Sequence, residues 1–262
     1  MEPATQDELE SCPFCEGRED RTPPETYAAG PPDRLPDTPR WTARVVPNLY
    51  PALERQEVVI HSPRHVRSFA ELHDDEVAAV AQAWHLRRVA AREEGFAYLH
   101  LVLNEGKAAG ASLAHSHSQL VWFRKQPPAI VEELPHLEEG RCGACAIVAE
   151  RSEVEIAMRG DTSLLAAPGG RAPYELLILP HSHEAEPGHE ELALAAELLR
   201  HAIRKLHEAE GPVPLNAWLH PGAHWHLEVV PRLTVFAGLE FGAGIYVNWL
   251  PPEEAAARLR AG

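Results

Sequence analysis

The sequence predicts an α+β fold assembled from two similar halves, each an antiparallel sheet with a flanking helix. Three observations predict it. A Cys-x-x-Cys pair, then a histidine, then His-x-His occurs twice in 262 residues. The first copy is Cys12, Cys15, His65, His115 and His117; the second is Cys142, Cys145, His183, His224 and His226. The inferred elements around the two copies recur in the same order. Each copy also holds one long helical pattern, closed by Gly95 or Gly211. The expected division is 1–130 for the first half and 131–262 for the second.

Local signals give the elements. Residues 16–40 are rich in Pro, Asp, Arg and Gly without periodicity, which reads as a long loop. Trp41 to Val46 alternates and ends at Pro47, a short strand. Asn48 to Pro51 is a turn, and Glu57 to His61 is a strand ended by Ser62-Pro63. From Asp74 to Glu94, apolar residues at Val77, Val80, Ala81, Trp84 and Val89 mark an amphipathic helix. Tyr98 to Leu103 is a strand. Ala114 to Phe123 is another, preceded by the small-residue loop Gly106 to Ser112. The junction falls within residues 126–140, which begin with Pro127-Pro128 and turn acidic. In the second half, Glu153 to Met158, Ser163 to Ala167 and Tyr174 to Leu179 are strands. Glu190 to Glu210 is a helix, and Leu215 to Leu219 and Ala223 to Val230 are strands. Glu253 to Arg260 closes the chain as a short helix.

The composition narrows the function. A formal charge of -15 argues against a nucleic-acid groove, because phosphate backbones require local positive charge. No apolar run approaches the roughly 20 residues of a membrane span, and the acidic start, Met1 to Glu10, is no signal peptide. All four cysteines fall in the two pairs, which read as cytoplasmic thiolates rather than disulfides. Each copy supplies two thiolates and two imidazoles, a tetrahedral zinc set, so two zinc ions per chain are expected.

One histidine per copy remains after the metal is satisfied. Alternate residues of a strand share a face, roughly 7 Å apart. His115, His117 and Gln119 therefore point one way, and Ser116 and Ser118 the other. A neutral His117 can attack phosphorus, while Gln119 can donate to a phosphoryl oxygen without adding negative charge. The loop from Asn104 to Ser112, with Gly106 and Gly110, lets backbone amides approach a phosphate. Glu228 stands where the second copy would need the glutamine. A carboxylate there repels phosphate, so His226 reads as a packing residue. The remaining histidines, His61 and His220 among them, read as surface or packing residues, and the acidic run 132–139 as a solvated face.

The sequence resembles the galactose-1-phosphate uridylyltransferase branch of the histidine-triad superfamily. The resemblance is carried by Cys-Pro-Phe-Cys at 12–15, Pro-Asn-Leu-Tyr-Pro-Ala-Leu at 47–53 and Ser-Pro-Arg-His at 62–65. It continues with Asn-Glu-Gly-Lys-Ala-Ala-Gly-Ala-Ser at 104–112, His-Ser-His-Ser-Gln at 115–119 and the stretch from His224 to Glu240. It implies that Cys12, Cys15, His65 and His115 hold one zinc. Cys142, Cys145, His183 and His224 would hold a second, as in the sugar-nucleotide phosphorylase relatives. It implies that His117 takes up a nucleotidyl group beside Gln119, with Asn104, Gly110 and Ser112 at the phosphates and Asn48 and Tyr50 at the nucleoside. Glu240 would serve the site of a neighbouring subunit, which implies a homodimer. The family's arginine-bearing segment before the first cysteine pair has no counterpart in the eleven residues before Cys12. Arg18, Arg21, Arg34, Arg40 and Arg44 are the candidates to replace it. The implied activity is transfer of a nucleoside monophosphate from a nucleotide sugar, UDP-glucose foremost, to a hexose 1-phosphate. The alternatives are a phosphorylase acting on an ADP-sugar or a dinucleoside polyphosphate, and a non-catalytic zinc scaffold.

Overall fold

A computed structural model describes residues 4–261; residues 1–3 and 262, the outer ends of the two expected halves, lie outside them. In chain order the first half contains α1 (Gln6–Ser11), β1 (Tyr27–Ala29), β2 (Ala43–Pro47) and β3 (Arg55–Ile60). It continues with α2 (Asp74–Glu93), β4 (Tyr98–Glu105) and β5 (His117–Phe123). Two short helices follow, α3 (Pro128–Glu133) and α4 (Gly143–Ala149). The second half has β6 (Glu155–Arg159), β7 (Thr162–Ala166), β8 (Leu176–Pro180) and α5 (His189–Glu210). It ends with β9 (Leu215–His220), β10 (His226–Pro231), α6 (Gly238–Ala243) and α7 (Pro252–Ala261).

The long elements match the expected ones. Three acidic residues open α2, where the helix dipole favours them, and Glu76 accepts from the His73 amide at 2.8 Å. The buried face of α5 runs through Leu192, Ala195, Leu199, Ala202, Ile203 and Leu206 at helical spacing. The expected loop 16–40 needs correction, because it contains β1. Three residues show no alternation by themselves; pairing of Tyr27 with Val45 and Ala29 with Ala43 makes them a strand.

All ten strands form one antiparallel sheet in the order β1-β2-β3-β5-β4-β9-β10-β8-β7-β6. The two expected sheets are thus joined edge to edge, and the second five strands repeat the order of the first in reverse. At the seam, Val102 faces Trp218 and Asn104 faces Asn216. Helices α2 and α5 pack together over one sheet face, around a core drawn from both halves. Arg200 donates to the Leu72 carbonyl at 3.0 Å, and Arg204 donates to the Ala70 carbonyl at 2.8 Å, tying α5 to the entry of α2. No helix among the described residues is long and apolar enough to cross a membrane.

The opposite face carries the chemistry. Its first-half portion is covered by the early chain: Cys12, Phe14 and Trp41 pack on Val46, Val58 and Ile60. Arg44 is buried beneath this cover and donates to Glu25 at 2.8 Å, Asp37 at 2.5 Å and Thr22 at 2.7 Å. An irregular segment thereby acquires one geometry over the site. Leu120 lies on the helix-covered face, fully buried and opposite Leu101. Leu120→Ala is expected to cost about 2–5 kcal/mol, read as a lower denaturant midpoint. An unchanged midpoint would contradict its central place in the core.

Candidate functional site

The first cluster forms where three separate segments converge. Cys12 caps the end of α1, Cys15 lies in the next turn, His65 follows β3 and His115 lies just before β5. One donor atom from each lies within 4.8 Å of all the others. Cys12 Sγ is 3.4 Å from His115 Nδ1, and Cys15 Sγ is 3.4 Å from His65 Nδ1. The far nitrogens are engaged: His115 Nε2 donates to the Ser62 carbonyl at 2.9 Å, and His65 Nε2 faces Glu8 at 3.3 Å. Such bonds fix the tautomer and turn each Nδ1 lone pair inward. Burial, with the neighbouring Cys12, pushes the Cys15 thiol up to about 12. Two crowded thiols of this kind are what a bound divalent cation relieves, so the donor set fits a metal.

The second cluster repeats this arrangement with Cys142, Cys145, His183 and His224. Cys142 Sγ lies 3.3 Å from His224 Nδ1, and Cys145 Sγ lies 3.3 Å from His183 Nδ1. His224 Nε2 donates to the Pro180 carbonyl at 3.0 Å, as His115 does to Ser62.

Beside the first cluster, a cavity of about 310 Å³ is lined by Phe14, Arg21, Asn48, Tyr50, Ser112, His117 and Gln119, among others. His117 Nδ1 donates to the His115 carbonyl at 2.8 Å, which leaves Nε2 with its lone pair. Burial pushes the imidazole below its ordinary value, against the opposing pull of that hydrogen bond, so the ring is neutral near pH 7. Phe14 packs edge-on against it, with ring centroids 5.4 Å apart. Gln119 accepts a hydrogen bond from Gln56 on the neighbouring strand, which frees its own amide hydrogens. Gln56 is a site residue that sequence reasoning missed; its role depends on a strand pairing invisible in the local sequence.

The other expected residues divide into two groups. Asn48 accepts from the Tyr50 amide at 3.0 Å, forming the rim, with Tyr50 itself exposed. Ser112 reaches the cavity wall, but Asn104 and Gly110 do not line it. Asn104 accepts from Asn216 at 2.7 Å, and Asn216 also donates to the Ala109 carbonyl at 2.8 Å, pinning the loop. Gly110 turns that loop with φ 90°, where a side chain would be strained. Glu240, on α6, does not line the cavity. Of the five candidate arginines only Arg21 lines the cavity. Arg34 and Arg44 are held by Glu25, Arg40 by Asp33, and Arg18 donates to the Cys12 carbonyl.

In the second half the matching imidazole is blocked. His226 Nδ1 donates to the His224 carbonyl at 3.2 Å, mirroring His117, but its Nε2 meets Glu133 at 3.2 Å. His220 joins the same carboxylate at 2.6 Å, and Arg171 pairs with both Glu175 and Glu228. Two expectations are corrected. Glu133 belongs to a half-buried charge network, not to a solvated face, because α3 turns it toward the sheet; His220 is a member of that network. Burial opposes protonation of His226, yet Glu133 and Glu228 prevail and raise it to about 9.

Comparison with known proteins follows this geometry. Residues 51–128 match the family described as "Galactose-1-phosphate uridyl transferase, N-terminal domain". An ADP-glucose phosphorylase of Arabidopsis thaliana is 28% identical over 95% of this chain and 81% of its own length. A galactose-1-phosphate uridylyltransferase of Thermotoga maritima is 25% identical over 78% of this chain and 73% of its own. The Arabidopsis phosphorylase crystallised with bound ADP-glucose superposes with a TM-score of 0.85, at 27% identity, covering 96% of this chain and 90% of that one. The chain is similar over most of its length to galactose-1-phosphate uridylyltransferases and to an ADP-glucose phosphorylase. It shares the α+β fold of these proteins.

The blocked half gives a pH signature. Glu133 is held below its ordinary value, as its hydrogen bonds to His220 and His226 outweigh the opposing burial, so its contribution fades in acid. His226 is raised from 6.5 to about 9, so its contribution is complete below 6.5 and fades as pH rises through 9. Glu133→Gln is therefore expected to lower Tm most near pH 6 and progressively less up to about pH 9. A Tm difference independent of pH would contradict the pairing.

Proposed function

We propose that the protein transfers a nucleoside monophosphate from a nucleotide sugar by a ping-pong reaction with His117 as nucleophile. The observation that carries this reading is the His117 Nε2: a neutral, uncommitted nitrogen on a cavity wall, beside an amide donor. Nε2 attacks the α-phosphorus, and a nitrogen–phosphorus bond forms. The bond to the bridging oxygen breaks, and the sugar 1-phosphate departs with the electron pair. An oxygen of a second phosphate then attacks the same phosphorus and regenerates the imidazole. Gln119 and Ser112, both on the cavity wall, face the charge developing on the phosphoryl oxygens. Such a transfer depends mainly on positioning and electrostatics, which suits a cavity lined by no carboxylate.

Both Cys2His2 clusters suit zinc, which favours thiolate and imidazole in closed tetrahedral sites. Bound there, the metals would brace Cys12, Cys15, His65 and His115, and Cys142, Cys145, His183 and His224, with no position open to substrate. Four metal-ligating thiolates suit a cytoplasmic protein. Residues 1–130 and 131–262 are two copies of one unit, and only the first keeps a free imidazole.

The extent of similarity to the Arabidopsis enzyme favours an ADP-sugar as donor and inorganic phosphate as acceptor. The second reading, uridylyl exchange between UDP-glucose and a hexose 1-phosphate, is supported by the Thermotoga relative. Intact-protein mass after brief incubation with each donor separates them. ADP-glucose is expected to add one AMP and UDP-glucose little, with His117→Asn adding nothing while keeping two zinc ions per chain. A one-UMP gain would select the second reading; no adduct from fully metallated protein would favour a scaffold.

Assembly completes the proposal. Val235, Phe241, Val247 and Trp249 are exposed by 89%, 81%, 62% and 60%, an apolar arm that also carries Glu240. An unpartnered surface of this kind suits a homodimer in which Glu240 serves the partner's cavity. Light scattering is expected to give a dimer, and Phe241→Asp with Trp249→Asp a monomer of reduced activity. A wild-type monomer with full activity would refute this assembly.

A further inference from the structure

The reverse side of the catalytic strand holds a polar chain that its transfer chemistry does not account for. Ser116 and Ser118 alternate with His115, His117 and Gln119, so they face α2. There the environment is closed: Ser118, His61 and Trp84 are fully buried, and Ser116 nearly so. Hydroxyls at such positions are costly unless bonded. His61, one residue beyond β3, reaches both. Its Nδ1 lies 2.9 Å from Ser116 Oγ, its Nε2 lies 2.9 Å from Ser118 Oγ, and Trp84 Nε1 lies 2.9 Å from the same Ser118 oxygen.

The donors set a direction. An indole N–H only donates, so Trp84 donates to Ser118. The Ser118 hydroxyl then donates to His61 Nε2, and His61 Nδ1–H donates to Ser116. The reverse order would leave the Ser118 hydrogen without an acceptor at a fully buried site. One neutral ring thus grips the strand at the residues immediately before and after His117. The His61 amide adds a bond to the Ser116 carbonyl at 3.3 Å.

The second half supplies the contrast. By strand register Pro180, Trp225 and Leu227 stand where His61, Ser116 and Ser118 do, all apolar and buried. The Trp225 indole nitrogen has no hydrogen-bond partner there. Among the described residues, the polar grip lies behind the half whose imidazole is free and has no counterpart behind β10.

We propose that His61 is a positioning residue for nucleotidyl transfer, fixing through Ser116 and Ser118 the strand that aims His117 Nε2 at phosphorus. The proposal rests on His117 being the nucleophile. Misplacement of a reacting group by about 1 Å can cost about a hundred-fold in rate.

The test is single-turnover adduct formation with ADP-glucose and UDP-glucose, read by mass on protein holding its full zinc complement. His61→Leu removes both ring nitrogens, His61→Gln keeps one donor and one acceptor, and Ser118→Ala removes the middle link with little change in volume. At saturating donor, His61→Leu and Ser118→Ala are expected to form adduct about ten- to a hundred-fold more slowly, with donor affinity unchanged. His61→Gln is expected to recover most of the rate. Wild-type rates in Ser118→Ala, or a loss confined to donor affinity, would overturn the proposal even if His61→Leu failed to fold. Absence of adduct in the wild type would instead overturn the reading of His117, and this proposal with it.

Discussion

The site depends on hydrogen bonds that decide which nitrogen each imidazole offers. His115 and His224 give Nε2–H to backbone carbonyls and turn Nδ1 toward thiols. His117 and His226 do the reverse, giving Nδ1–H to the carbonyl two residues earlier. The same side chain thus turns Nδ1 to the thiols or leaves Nε2 to the cavity according to its acceptor. The carbonyls of His115 and His224 lie where the chain enters β5 and β10, so ring chemistry and strand placement are inseparable. Disturbing the start of β5 would move both the first Cys2His2 cluster and the His117 ring.

The two halves share a backbone plan and differ in what meets the Nε2 of the matching imidazole. Both have the cysteine pair, the carbonyl-bound imidazoles and the same strand order. In the second, Glu133 arrives from α3 and occupies Nε2 of His226, while Arg171 neutralises Glu228. The place where a phosphate would need neutral donors is filled by paired charges. The strand order and the cluster geometry are repeated while the charges around the matching imidazole are reassigned.

The clustering of each Cys2His2 set, the helices α2 and α5, and the shared face of His117 and Gln119 were legible from spacing and periodicity, since each rests on residues close together or on a pattern that recurs. The rest depended on distant contacts. Nothing local marks Gln56 as the partner of Gln119, because two strands separated by α2 and β4 must first pair. Glu133 reads as one acid among several until α3 turns it inward, and His220 gains its role only beside it. Strand β1 is too short to show alternation, and its existence follows from β2. The turn at Asn48 was visible, but that it frames the same cavity as Arg21 required the early loop to fold over the sheet.

The ladder between β4 and β9 joins segments far apart in the chain, and this has a consequence for folding order. Every ligand of the first cluster precedes β9, so the first five strands and their metal set are available before the seam can close. Until β9 arrives, β4 presents a row of unpaired amides and carbonyls, the kind of edge that recruits other chains. During synthesis this edge stays open while α3, α4, β6, β7, β8 and α5 emerge. The period of greatest aggregation risk therefore falls midway through the chain, in an intermediate that already contains the complete metal set of the first half.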